Sequence, residues 1–162
     1  MEAGIPFGLR PGSPNRIRRI EGGVLDYGSD ILSENNPYEM GLERLVSMSK
    51  SANFMGKDAL IEISYSGVSK KITGVFMSGP IFEKHNEHRW PVSLKGNRVG
   101  EVTSAVFSQK LQRNIGFALV DVDIIETNVK FDVDNPEGVR KLEFTQLPFI
   151  DKKKSIPRRR LR

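Results

Sequence analysis

The sequence predicts an α+β chain in which a helical first portion is followed by a small antiparallel β structure. Three observations carry this. Before residue 66 apolar residues recur at helical spacing, and from Lys71 onward they recur at every second position. Five or six short strands then follow one another with turn signals between them, the pattern of a small barrel or sandwich. The chain has 162 residues, of which 38% are hydrophobic and 28% charged, a composition that supplies a core for one domain or two small ones. The change of period places a boundary near residue 68. The expected units are 1–68, 69–150 and a basic tail, 151–162.

The first helix is expected to begin at Ser13-Pro14, where the serine caps a free N–H and proline suits the first helical position. Ile17, Ile20 and Val24 then form one apolar stripe. Gly22 and Gly23 are poor helix formers and point to a close backbone approach by another element or a ligand. Tyr27-Gly28-Ser29-Asp30 reads as a turn. Asn36-Pro37 restarts the chain, and Gly56 to Ile61 opens another short helix. Strands are expected over 71–77, 91–94, 98–104, 114–120, 128–133 and 140–147, the second and third joined as a hairpin through Lys95-Gly96-Asn97.

Several function classes are excluded at this level. With no cysteine there is no disulfide framework, thiolate metal site or cysteine nucleophile. No run approaches the roughly 18 apolar residues of a membrane-spanning helix. The first residues carry no signal-peptide pattern, so a cytoplasmic protein is expected. The net charge of +5 is confined to the end of the chain. Residues 152–162 hold seven of the 25 basic side chains, leaving 18 basic against 20 acidic before them, a net of −2. That distribution argues against a nucleic-acid-binding body, and such tails are usually solvated, disordered ends.

Phosphate-loop, dinucleotide-binding and nucleophile-elbow motifs are absent. His85 and His88 lie in the hydrophilic run Glu83–Arg89, which reads as a solvated loop rather than a metal site. The densest candidate for anion recognition is the first helix. Arg16 and Arg19, three apart, share a face able to grip a carboxylate. The competing reading pairs Arg18 or Arg19 with Glu21 and other acids on a surface helix.

The run Arg18–Ile31 resembles the "R-L-E-A-G-L-x-x-Y-G-x-D-I" signature of the tetrahydrofolate-dependent aminomethyltransferase family, to which the glycine cleavage T-protein belongs. Asn36–Leu42 resembles "T-P-x-E-A-G-L", and Asn53–Leu60 resembles "D-F-I-G-K-x-A-L". Gly96–Ser104 resembles "G-x-x-I-G-x-V-T-S", and the ending Leu147-Pro148-Phe149 also fits. These segments stand in the family's order over nearly residues 8–150. Within the family, Asn15–Gly23, Glu34–Glu39 and Leu42–Leu45 are most similar to the dimethylsulfoniopropionate demethylases. The T-protein's "A-R-D" arginine has Asn15 in its place, with Arg16 one residue later.

The resemblance implies the C-terminal part of a folate-binding aminomethyltransferase domain followed by a Greek-key-like barrel. It implies tetrahydrofolate as the cofactor and a small-molecule one-carbon donor as partner, with no metal, nucleic acid or membrane. It places Asn15, Arg16, Arg19, Glu21, Tyr27 and Asp30 at the folate and substrate channel. Arg19 would either hold Tyr27 and Asp30 in place or face a ligand carboxylate. The family's catalytic aspartate belongs to an N-terminal portion that no stretch here matches, so no catalytic residue is expected and the chain alone should not turn over. Three functions remain open: demethylation of dimethylsulfoniopropionate, aminomethyl transfer in glycine cleavage, or a non-enzymatic folate-binding relative.

Overall fold

The computed structural model describes residues 6, 15–125, 127, 129–153 and 155. The expected helix start at Ser13-Pro14 lies outside them, as does most of the basic tail. The first described helix, α1 (Arg16–Glu21), is capped by Asn15, whose extended backbone turns its Oδ1 onto the Arg18 N–H at 3.1 Å. Gly22 ends the helix, and Gly23 follows with φ +68. A Cβ on Gly23 would stand 3.3 Å from Pro148, so the close approach expected of this pair is made by the chain's own C-terminal segment. Because α1 stops at Glu21, Val24 leaves the apolar stripe and is 58% exposed. Leu25 takes its place beside Ile17 and Ile20.

The Tyr27–Asp30 turn closes with a bridge between Tyr27 and Ile31. At Asn36 a reciprocal cap forms. The Asn36 Oδ1 accepts from the Tyr38 and Glu39 N–H groups, and Glu39 Oε2 accepts from the Asn36 N–H. The Glu39 carbonyl accepts from the Ile72 N–H at 2.7 Å, which ties this turn to the first strand. A 3₁₀ turn (Glu43–Leu45) and α2 (Lys57–Ser66) complete the helical portion.

Six strands follow: β1 (Lys70–Met77), β2 (Trp90–Leu94), β3 (Asn97–Ser108), β4 (Arg113–Asp121), β5 (Phe131–Asn135) and β6 (Gly138–Thr145), with a short α3 (Val122–Ile125) after β4. They close into an antiparallel barrel in the order β1-β4-β3-β2-β5-β6, with β6 returning to β1. β1 lies beside β4, and the chain leaving β1 crosses to β2, three places away in the order, the long connection of a Greek key. The β2–β3 hairpin turns on Lys95 and Gly96, both at positive φ, as a two-residue connection of matching twist requires.

β4 explains why its sequence reads as a continuous apolar run. Ala118 and Val120 face the barrel interior with Val75, Val92, Val102, Phe131 and Val133. Ile115, Phe117 and Leu119 face outward, beneath Ile20 and Met40. Both faces are covered, so no polar residue alternates. Two glycines make the β3–β4 approach possible. A Cβ on Gly100 would lie 2.4 Å from the Leu119 carbonyl oxygen, and one on Gly116 would lie 2.3 Å from the Ser104 carbonyl oxygen. Each fully buried side chain of this core contributes about 1.5–3 kcal/mol.

Candidate functional site

The residues singled out on α1 and the following turn converge on β3. Arg19 sits on the side of α1 that faces the turn. Its Nη1 donates to Asp30 Oδ2 at 2.5 Å and to the Val24 carbonyl at 3.1 Å, and its Nη2 donates to Ser104 Oγ at 2.8 Å. The guanidinium also lies over the Phe117 ring at 5.9 Å. Asp30 is completely buried. Its carboxylate is satisfied on both oxygens: Oδ2 accepts from Arg19 and the Asp26 N–H, and Oδ1 accepts from Thr103 Oγ1 and Ser104 Oγ, each at 2.6 Å.

Two consecutive strand residues reach the same oxygen because β3 is irregular here. Val102 pairs with Ala118 and Ser104 with Phe117, so Thr103 is an extra residue. In a regular strand Thr103 and Ser104 would point to opposite faces, and the bulge re-aims them to one. The bulge is filled by Asn86. Its Nδ2 donates to the Thr103 carbonyl at 3.0 Å, and its Oδ1 accepts from the Ala105 N–H at 2.7 Å. Asn86 is 8% exposed, so the run Glu83–Arg89, expected as a solvated loop, is anchored at its centre. Its end is anchored too. Arg89 donates from Nε and Nη2 to the Ser29 carbonyl and from Nη1 to Glu101 at 2.5 Å, which grips the Tyr27–Asp30 turn from the opposite side.

The remaining candidates divide by exposure. Glu21 does not pair with Arg19. Its Oε1 accepts from the buried Ser108 hydroxyl at 2.5 Å, and its carbonyl accepts from the Ile150 N–H. Asn15 is occupied as the helix cap. Arg16 makes one long bond, 3.4 Å, to the Asn86 carbonyl, and borders a cavity of about 320 Å³ floored by Ile17, Phe82 and Phe107. Tyr27 is 74% exposed on the tip of the clamped turn. A second cavity, of about 460 Å³, opens beside Gly22–Leu25 and is lined by Ile31, Met40, Leu147 and Arg44. Asp30 therefore has both carboxylate oxygens satisfied within the chain, and Arg19 and Glu21 are bonded into the fold, whereas Tyr27 is exposed and the half-buried Arg16 borders a cavity. Among the described residues no three His, Asp or Glu side chains gather to hold a metal ion, and no helix is long and apolar enough to cross a membrane.

Arg89, Asn86, Thr103 and Ser104 were not singled out by sequence reasoning. The last two stand inside the "V-T-S" segment already compared with the family, which was a usable signal. Asn86 and Arg89 are polar residues in a polar run, with only the flanking Phe82 and Trp90 to mark it as attached.

The barrel matches the family model described as the glycine cleavage T-protein C-terminal barrel domain over residues 70–151. The chain belongs to the glycine cleavage T-protein family. It is 33% identical over 138 residues to the dimethylsulfoniopropionate demethylase DmdA of Ruegeria pomeroyi, covering 85% of this chain and 37% of that protein. To the aminomethyltransferase of Listeria innocua it is 31% identical over 153 residues, 94% of this chain and 41% of the relative. The glycine cleavage aminomethyltransferase T of Bartonella henselae has the same fold, with a TM-score of 0.74 at 22% identity over 85% of this chain and 38% of that one. The chain thus spans about two-fifths of the length of these family members.

Proposed function

We propose that this chain is the C-terminal portion of a tetrahydrofolate-dependent methyltransferase whose donor is dimethylsulfoniopropionate. The observation that carries the donor is the 33% identity to the Ruegeria pomeroyi demethylase over 85% of the chain. Tetrahydrofolate, when bound, supplies the secondary amine that accepts the one-carbon unit. A sulfonium donor already holds a good leaving group, so the protein's part is to position the two reactants.

The chain's own residues suit one wall of such a channel rather than a whole pocket. Arg19, Asp30, Ser104 and Arg89 hold the Tyr27 turn rigid from two sides. Tyr27 is the side chain of this group free to pack against a folate ring, and Arg16 is the cation free to meet a carboxylate. The buried Asp30 has no accepting capacity left for a ligand. Aminomethyl transfer is the second reading, favoured by the similarity to the Listeria innocua aminomethyltransferase over 94% of the chain.

The experiment supplies tetrahydrofolate and either donor to the protein carrying these residues together with its catalytic portion. Formation of 5-methyltetrahydrofolate from dimethylsulfoniopropionate is the expected result. Turnover only with an aminomethylated lipoyl carrier would replace this reading with the second. Turnover with neither would leave a non-enzymatic folate-binding relative. The 162 residues alone are expected to form no product.

A further inference from the structure

We infer that the outer wall of the barrel carries a binding site of its own, a cleft at Phe76 and Arg113 that takes a small carboxylate with an apolar body. The cleft has a volume of about 370 Å³ and is bordered also by Ile81, Phe107, Lys130 and Glu143. That volume lies within the range of small-molecule pockets. Phe76, on β1, is half-buried and packs edge-on against Phe149, with ring centroids 5.6 Å apart. The Arg113 guanidinium, at the start of β4, lies over the Phe76 ring at 4.1 Å from its centroid. A guanidinium stacked on a ring keeps its in-plane N–H fork for a ligand, and a carboxylate fits that fork with both oxygens. The fork is open. Glu143 Oε2 stands 3.9 Å away, beyond hydrogen-bond distance, and among the described residues no acceptor is bonded to the Arg113 side chain.

The rim is built without a ligand. The buried Asn114 donates from Nδ2 to the Pro80 carbonyl at 2.8 Å and accepts on Oδ1 from the Phe82 N–H at 3.1 Å. The buried Arg140 donates to the same Pro80 carbonyl at 2.6 Å. Between these anchors Ile81 is left 57% exposed at the edge of the cleft. The charge favours an anion. Arg113, Lys130 and Lys141 are set against Glu143, which Lys130 approaches at 3.3 Å, and Asp132, which is bonded to Lys141, so one positive charge is left over. A bare inorganic anion would leave Phe76, Phe107 and Ile81 uncovered, and an uncharged ring would leave Arg113 unmatched. The site therefore suits a molecule that has both parts. All of the lining residues fall within 70–151, so the cleft belongs to the barrel domain itself and is independent of the one-carbon donor.

Amide NMR of the 162-residue chain, titrated with benzoate, benzamide and acetate, tests the site. Benzoate should shift the Met77 and Asn114 amides along a saturating curve. Benzamide keeps the ring without the charge and acetate keeps the charge without the ring, and each should bind about tenfold more weakly or worse. Arg113→Gln should weaken benzoate by about tenfold or more, the loss of a charge-assisted hydrogen bond. Glu143→Gln should tighten it severalfold by removing the competing carboxylate, a gain that a misfolded variant would not show. Arg98→Gln, at an exposed arginine outside the cleft, should leave the affinity unchanged. Benzoate shifts that do not saturate would overturn the inference, as no site would be filled. Benzamide or acetate binding as tightly as benzoate would overturn it too, since one of the two halves would then recognise nothing. Equal effects of Arg113→Gln and Arg98→Gln would reduce the attraction to diffuse surface charge. An unchanged affinity in Glu143→Gln would show that the anion does not sit at the Arg113 fork.

Discussion

Arg19 and Asp30, eleven residues apart, meet at 2.5 Å with the carboxylate wholly buried and the guanidinium side chain 16% exposed. Two more donors, the hydroxyls of Thr103 and Ser104, come from β3 across the barrel wall. One carboxylate thus joins α1, the turn after it and the barrel.

Removing the cation should be a folding lesion. Arg19→Ala leaves Asp30 buried with its main counter-charge gone, a change that costs about 3–5 kcal/mol in buried pairs. Urea unfolding of the variant measures it. A loss below about 1 kcal/mol would mean that water replaces the guanidinium, and the pair would not be the joint described here.

The bulge filler gives a second prediction. Asn86→Leu keeps the branched outline of the side chain and strands the Thr103 carbonyl and the Ala105 N–H, each costing about 1–3 kcal/mol when buried without a partner. Asn86→Asp keeps an acceptor for the Ala105 N–H but turns a carboxylate oxygen against the Thr103 and His88 carbonyls in a buried site. Thermal melts should place both variants below the wild type.

At Gly116 the expected lesion is steric. An added Cβ meets the Ser104 carbonyl oxygen at 2.3 Å, backbone against backbone, with no flexible side chain to yield. Gly116→Ala should lose about 1–3 kcal/mol, the range of overpacked cores. Gly28→Ala is the control, because no atom lies within 4 Å of its added methyl group and only its φ of +94 opposes it.

Truncation should separate the tail from the strap before it. Deleting 152–162 is expected to move the unfolding midpoint little, since the described part of that stretch is exposed. Deleting from Leu147 should destabilise the chain strongly. Phe149 packs on Phe76 and Phe117, with ring centroids 5.6 and 6.4 Å apart, and Ile150 bonds to Glu21. Similar midpoints for the two truncations would contradict this.

Tyr27 should behave in the opposite way to Arg19. Its side chain is 74% exposed, so Tyr27→Ala should leave the melting point of the chain unchanged. In the complete transferase it should weaken tetrahydrofolate binding, read by titration calorimetry. Unchanged affinity would remove Tyr27 from the channel wall.

The strands were legible because their period and turn residues are local properties. Lys95-Gly96-Asn97 states its own geometry, and the β4 run Asn114–Val120 announces a strand covered on both sides. The helix stripe failed at Val24 because helix termination at Gly22 breaks the i, i+7 relation. The site was legible as a set of residues but not as a set of contacts. Arg19 has Glu21 as its nearest acid in sequence, yet Glu21 is drawn to Ser108 on β3 and Arg19 to Asp30 in the following turn, partners set by the packing of α1 on the barrel and by the path of the turn. Asn86 was hidden for a related reason: its partners are backbone groups exposed by an irregularity that no side-chain pattern encodes.

Barrel closure has a consequence for how the chain can be cut and rejoined. β1 and β6, the first and last strands, are antiparallel neighbours, with Gly74 opposite Thr145 and Met77 opposite Leu142. The start of one and the finish of the other therefore lie at the same end of the barrel. The strap after β6 returns to α1, where the Ile150 N–H meets the Glu21 carbonyl, so a linker from the strap to the start of α1 could close the chain, with new ends opened in the Lys95-Gly96 turn and every strand pairing kept. Such a circular permutant would separate the order of the strands along the gene from their order around the wall.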